Sequence, residues 1–124
     1  MIRLLIADDE ALERETLADI VARRFEHEVT IETAENGRKA ADTAVLWGAD
    51  LILMDIMMPD MDGYEATRAI RLSEKVDAAD IPIIALTANA FAEDIQAAEN
   101  AGMDGHLPKP IDLTLLRDTL RRWL

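Results

Sequence analysis

Five short apolar runs alternate with five segments of helical spacing along this chain, and that alternation narrows the fold more than any single residue does. The runs are Leu4 to Ala7, Val29 to Thr33, Leu51 to Met54, Ile81 to Leu86, and a short one around His106 and Leu107. Most are apolar on consecutive positions, as expected of strands covered by helices on both faces. Between them, Leu12, Leu17, Ile20, Val21 and Phe25 make a stripe on a first helix. Ala40, Ala41, Ala44, Val45 and Leu46 make a second that stops at Gly48, a natural C-terminal breaker. Tyr64 to Leu72 gives a third, Phe91 to Ala101 a fourth ending at Gly102, and Leu113 to Leu124 a fifth behind Asp112 as N-cap.

Strands that alternate with helices pair in parallel, because a parallel neighbour is reached only through a crossover, and crossovers are nearly always right-handed. The predicted fold class is therefore α/β: a flavodoxin-like (βα)5 three-layer sandwich around a parallel five-stranded sheet of order 2-1-3-4-5. All strands of such a sheet end on one edge. Asp8, Asp9, Asp55, Thr87 and Lys109 each stand where an apolar run stops, so residues spread over a hundred positions are expected to meet there. In this order the first and third strands are adjacent, which puts Asp8 and Asp9 beside Asp55.

Composition sets the outer bounds. A chain of 124 residues with 50% apolar content suits one domain, expected over residues 1–124. No apolar run approaches the roughly 20 residues of a membrane span, and the first residues lack a signal-peptide pattern, so the expectation is cytoplasmic. Zero cysteines remove disulfides, thiolate metal sites and cysteine nucleophiles. With 25 acidic against 13 basic residues and a net charge of -12, direct nucleic-acid binding is not expected. Arg117, Arg121 and Arg122 crowd the last helix, where favourable placement near a helix C-terminus and a docking face are both open readings.

Three carboxylates within a few ångström repel by about 4 kcal/mol per pair at about 4 Å and an effective dielectric near 20, so a cation must compensate them. Carboxylate oxygens with water and a backbone carbonyl suit Mg²⁺, and Mn²⁺ is an able substitute. Lys109 neutralises part of what remains. A strand-end carboxylate, a divalent cation, a lysine and a hydroxyl are the parts for phosphoryl transfer to Asp55, giving an aspartyl phosphate.

The segments LLIADDE, DLILMDIMMPDMDGYEATRAIR and IPIIALTANAFAEDIQAAENAGMDGHLPKPID closely resemble the receiver domain of two-component response regulators and hybrid sensor kinases, over essentially the whole chain. The resemblance implies that Asp8 and Asp9 are the acidic pair, Asp55 the phospho-acceptor, Thr87 the switch hydroxyl and Lys109 the phosphoryl contact. It implies that Asp8, Asp9, Asp55 and the backbone carbonyl of Met57 hold the metal. It implies that Lys109 and Pro110 are joined by a cis peptide, a form unlikely from spacing alone. The implied donor is a sensor histidine kinase or a histidine phosphotransfer domain, with small phosphodonors as substitutes. The implied output is a shift of the face made by the fourth helix, fifth strand and fifth helix, read by an output domain, an effector protein or a phosphorylation-dependent homodimer. On this reading the chain is a signalling phospho-acceptor rather than an enzyme.

The switch position, often Tyr or Phe in such domains, is His106 here. Its charge could bias the switch near neutral pH; the plainer alternative is a polar side chain with no such role. Plainer readings stand beside the others too: Asp8 and Asp9 as an N-cap pair, Asp55 as a turn former, Thr87 as a cap of the next helix, Gly63 as a helix-start glycine, the methionines around Asp55 as packing residues. Two rival functions remain in view. A degenerate receiver that only binds partners would be expected to lack one of these groups. An aspartate-based phosphohydrolase would be expected to carry an acid two residues after the nucleophile, where this chain has Met57. Subfamily cues conflict, the start resembling receivers of transcriptional regulators and the remainder hybrid-kinase receivers.

Overall fold

Alternate residues of each strand go to opposite sides of one sheet, and this divides the core in two. In the computed structural model, which describes residues 1–74, 80–88 and 92–123, five parallel strands stand in the order β2-β1-β3-β4-β5. They are β1 (Ile2–Ala7), β2 (Val29–Ala34), β3 (Leu51–Asp55), β4 (Ile83–Thr87) and β5 (Gly105–Pro108). Between and after them lie α1 (Ala11–Arg24), α2 (Gly37–Thr43), α3 (Gly63–Arg71), α4 (Ala92–Ala101) and α5 (Leu113–Trp123). Leu4, Ile6, Leu51, Leu53, Ile84 and Leu86 pack with Leu17 and Val21 of α1 and with Leu116 and Leu120 of α5. Leu5, Ala7, Ile52, Met54, Ile83 and Ala85 face α2, α3 and α4 through Ala40, Ala66, Ile70 and Ala98. The expected α/β class, strand order and three layers are what the structure has. Among the described residues no helix is long and apolar enough to cross a membrane.

Boundaries differ from expectation where a local group takes over. β4 starts at Ile83 rather than Ile81, because Pro82 has no N–H to give to a ladder. Helix α3 starts at Gly63 rather than Tyr64, fixed by a capping box in which Asp62 accepts from the Glu65 N–H and Glu65 accepts from the Asp62 N–H. After Thr43 the second helix widens into one π-helical turn, Ala44–Gly48, closed by Ala49 N–H to the Ala44 carbonyl at 3.0 Å. The wider turn shifts the helical register, and Leu46, expected in the buried stripe, is exposed. Leu12 likewise leaves its stripe and is exposed. Gly48 and Gly102 do end their helices, at φ of 79° and 107°, a region that glycine enters without strain. Asp112 accepts from the N–H groups of Thr114 and Leu115, as an N-cap should. Phe91 and Leu124, expected as helix ends, lie outside the described residues.

Candidate functional site

The β1 ladder carries one step past the strand, with Asp8 N–H donating to the Ala34 carbonyl at 3.0 Å. Asp8 is then held at both its side chain and its backbone. Its Oδ1 accepts from Glu10 N–H at 3.0 Å, and Arg14 Nη1 donates to its backbone carbonyl at 2.9 Å. Asp8 is 1% exposed, whereas Asp9 is exposed. Asp55 ends β3, 5% exposed, its Oδ1 accepting from Met57 N–H at 3.3 Å. Helix α3 begins directly against this strand end. A Cβ on Gly63 would sit 2.4 Å from the Asp55 carbonyl oxygen, so the glycine is needed for close backbone approach as well as for the helix start.

Carboxylate oxygens of Asp8, Asp9 and Asp55 all lie within 4.8 Å of one another. Lys109 reaches this cluster from the end of β5, positioned by its N–H bond to the Thr87 carbonyl at 2.7 Å and followed by a cis peptide to Pro110. Its ammonium lies 3.2 Å from Asp55 Oδ2, 3.5 Å from Asp8 Oδ2 and 3.0 Å from Glu13 Oε2. Thr87, buried at the end of β4, lines the same cleft of about 310 Å³ together with Met57, Tyr64 and Asp94. Tyr64 closes one wall, its hydroxyl donating to the Asp94 carbonyl at 3.5 Å.

The charges of the cleft are out of balance, three carboxylates to one lysine. Burial raises the Asp55 carboxyl to about 6 from an ordinary 3.8, against the pull of Lys109 and with the neighbouring Asp8 charge adding to the rise. Burial raises Asp8 too, outweighing the Glu10 N–H bond and Lys109. At Lys109, burial disfavours the ammonium, but the Glu13 hydrogen bond and the charges of Asp55 and Asp8 more than reverse this and its pKa rises. Glu13 moves the other way, lowered by its bond to Lys109. Three carboxylates share one lysine at the strand ends, and a hard divalent cation with oxygen ligands fits the donor set.

Sequence reasoning brings Asp8, Asp9, Asp55, Thr87 and Lys109 to one place, and the structure does so. One expected residue stands apart from the cleft, and another lines it with its side chain turned outward. His106 is exposed on β5, in register with Ala85, and lines a separate recess of about 30 Å³ with Ile95, Ala98 and Glu99. The Met57 side chain, expected to pack, is 77% exposed while Met54 and Met58 are buried; it follows the strand end, where the chain turns out of the sheet. Glu13 was not predicted. In sequence it is an ordinary first-turn helix acid, and nothing in its spacing points to Lys109, 96 residues away.

The sequence model of the response regulator receiver domain matches residues 4–121. Hybrid signal transduction histidine kinase E of Dictyostelium discoideum is 39% identical over 121 residues, 96% of this chain and 7% of that protein. Across the curated relatives it matches first, the chain spans between 6% and 12% of their length. Among solved structures, the receiver domain of a sensor histidine kinase from Pseudomonas aeruginosa PAO1 is 34% identical with a TM-score of 0.85. The match covers 98% of this chain and 96% of that one, whose active site cleft holds a coordinated magnesium ion. The receiver domain of Ssk1 from Saccharomyces cerevisiae, crystallised with the histidine phosphotransfer protein Ypd1, is 29% identical with a TM-score of 0.88, covering 98% of this chain and 88% of that one.

Proposed function

This chain belongs to the response regulator receiver family of two-component phosphorelay systems, and from that premise we propose that Asp55 accepts a phosphoryl group from a phosphohistidine on a sensor histidine kinase or phosphotransfer domain. One observation carries the reading: a buried strand-end carboxylate lies 3.2 Å from a lysine ammonium and within 4.8 Å of two further carboxylates. With its pKa at about 6, Asp55 is mostly ionised at pH 7, so a nucleophilic oxygen is available. That oxygen forms the new O–P bond as the P–N bond of the phosphohistidine breaks, and the imidazole leaves with its electron pair and is protonated.

Asp8, Asp9, Asp55 and the Met57 backbone carbonyl would hold Mg²⁺, with Mn²⁺ as substitute. When bound, the metal supplies positive charge for the carboxylates and for the phosphoryl oxygens. Lys109 neutralises a second share, and the Thr87 hydroxyl donates to one phosphoryl oxygen. Movement of Thr87 toward the phosphoryl group, with an inward turn of His106, would shift the face of α4, β5 and α5 toward an output partner. The groove between α1 and the segment after β5, lined by Leu12, Leu17, Ile20 and Ile111 beside Lys109, offers apolar surface on which a protein donor can settle. Both core clusters share one sheet, which supports reading residues 1–124 as one receiver domain. Met57 has no proton to give a leaving group, which counts against a phosphohydrolase.

The test is intact mass after incubation with Mg²⁺ and phosphoramidate or acetyl phosphate, for wild type and Asp55→Asn in parallel. A metal-dependent gain of one phosphate in wild type, absent from the variant, is expected. A gain that persists in Asp55→Asn removes Asp55 as the acceptor. If small donors give none, transfer from a phosphohistidine protein decides between a strict donor requirement and a degenerate receiver.

A further inference from the structure

We propose that Glu13 is a latch on Lys109, a positioning residue that holds the ammonium in the unphosphorylated state and thereby restrains the rate at which Asp55 is phosphorylated. The inference rests on Asp55 being the acceptor. A lysine ammonium has three N–H donors. Three carboxylates surround this one, and the shortest contact, 3.0 Å, is to Glu13 rather than to Asp55 at 3.2 Å or Asp8 at 3.5 Å. Asp8 and Asp55 are also tied to the backbone, through Glu10 N–H and Met57 N–H. Glu13 comes from the first turn of α1, with a side chain 45% exposed, and can swing to solvent without uncovering buried charge.

Once Asp55 carries a phosphoryl group, new oxygens stand where Lys109 must donate. The contact that gives way at least cost is the half-exposed one. Glu13 also lines the mouth of the cleft with Asp9 and Asp55, so the carboxylate that occupies Lys109 faces an incoming phosphate anion of its own sign. The same residue borders the apolar groove beside α1. A donor protein seated there would meet Glu13 first, which links docking to release of the lysine.

The experiment compares wild type, Glu13→Gln, Glu13→Ala and Glu10→Gln. Glu10 lines the same cleft with the same charge, and its variant measures the effect of charge alone. Phosphate gain from phosphoramidate with Mg²⁺ is followed by mass, and the Lys109 ammonium is followed by ¹⁵N NMR on unphosphorylated protein. Both Glu13 variants are expected to gain phosphate roughly threefold to tenfold faster than wild type, the range that a partly exposed ion pair and one charge-assisted hydrogen bond can hold back. Glu10→Gln should change less, and the Lys109 signal should broaden in both Glu13 variants as its protons exchange faster. Equal rates in Glu13→Gln and wild type overturn the latch, and so does an equal rise in Glu10→Gln. Should no protein gain phosphate, wild type included, the reading of Asp55 fails separately. The contact is then judged by NMR, where an unchanged ammonium signal in Glu13→Gln also overturns it.

Discussion

At the edge where the strands begin, Arg71 at the end of α3 donates to the Gly102 carbonyl at 2.8 and 3.1 Å, to the Ile81 carbonyl at 2.7 Å and to Asp104 Oδ2 at 2.9 Å. Asp104 in turn accepts from Ile83 N–H at 2.9 Å. At the edge where the strands end, one lysine faces Asp8, Asp55 and Glu13. Both edges use charge on the same sheet. The first is satisfied group by group and ties α3, the start of β4 and the α4–β5 turn together. The second carries surplus negative charge that burial makes costly. Charge that is matched locally stabilises the fold, whereas charge left unmatched in a cleft marks a place prepared for a ligand.

The largest stability effect is expected at the matched edge. Arg71→Ala removes the donor to two backbone carbonyls and a carboxylate, and should cost roughly 3 to 4 kcal/mol on the scale of neutral and charged hydrogen bonds. Urea unfolding followed by the partly buried Trp47 and Trp123 would measure it. A loss below about 1 kcal/mol would place Arg71 among ordinary surface charges and remove the contrast between the edges.

The opposite sign is expected at the other edge without metal. The Asp55 carboxyl is raised in the folded state to about 6 from an ordinary 3.8. Its favourable contribution is therefore fully present below 3.8 and lost as pH rises through about 6. Asp55→Asn keeps the shape and removes the charge, so in EDTA it should be more stable than wild type by roughly 2 to 3 kcal/mol at pH 7.5, with the gap closing as pH falls toward 4. Saturating Mg²⁺ should narrow the gap from the wild-type side, since a ligand at a hundred times its Kd adds about 2.7 kcal/mol to the state that binds it. A gap equal at pH 4.5 and pH 7.5 would show that Asp55 carries no such burden.

Which parts of this were legible in the sequence follows from how local each cause is. The strands show as apolar runs, and Asp8, Asp9, Asp55, Thr87 and Lys109 are legible because parallel strands all end on one edge, so a position in the chain becomes a position in space. Glu13 and Arg71 are not. Each is a charged helix residue whose partner is fixed by tertiary packing, Lys109 for one and the Gly102 carbonyl for the other. Leu46 was misplaced because one π-helical turn changes the period on which a stripe is counted.

The smallest expected effect separates charge from edge. Asp62 is the second acid of the loop after β3, on the same edge as Asp55, yet its Oδ1 accepts from Glu65 N–H at 2.8 Å and it caps α3. It lies at a helix N-terminus, where a carboxylate is favoured both by the orphan N–H groups and by the helix dipole. Asp62→Ala should therefore destabilise by about 1 kcal/mol, opposite in sign to Asp55→Asn under the same metal-free conditions. If position on the edge decided the outcome, both substitutions would stabilise. If local partners decide it, the signs differ, and Asp62→Asn, which keeps an acceptor at the cap, should restore most of the loss. Denaturation of the three variants side by side in EDTA at pH 7.5 distinguishes these outcomes. A stabilised Asp62→Ala would mean that the negative field of the cleft reaches as far as the start of α3 and outweighs a cap hydrogen bond there.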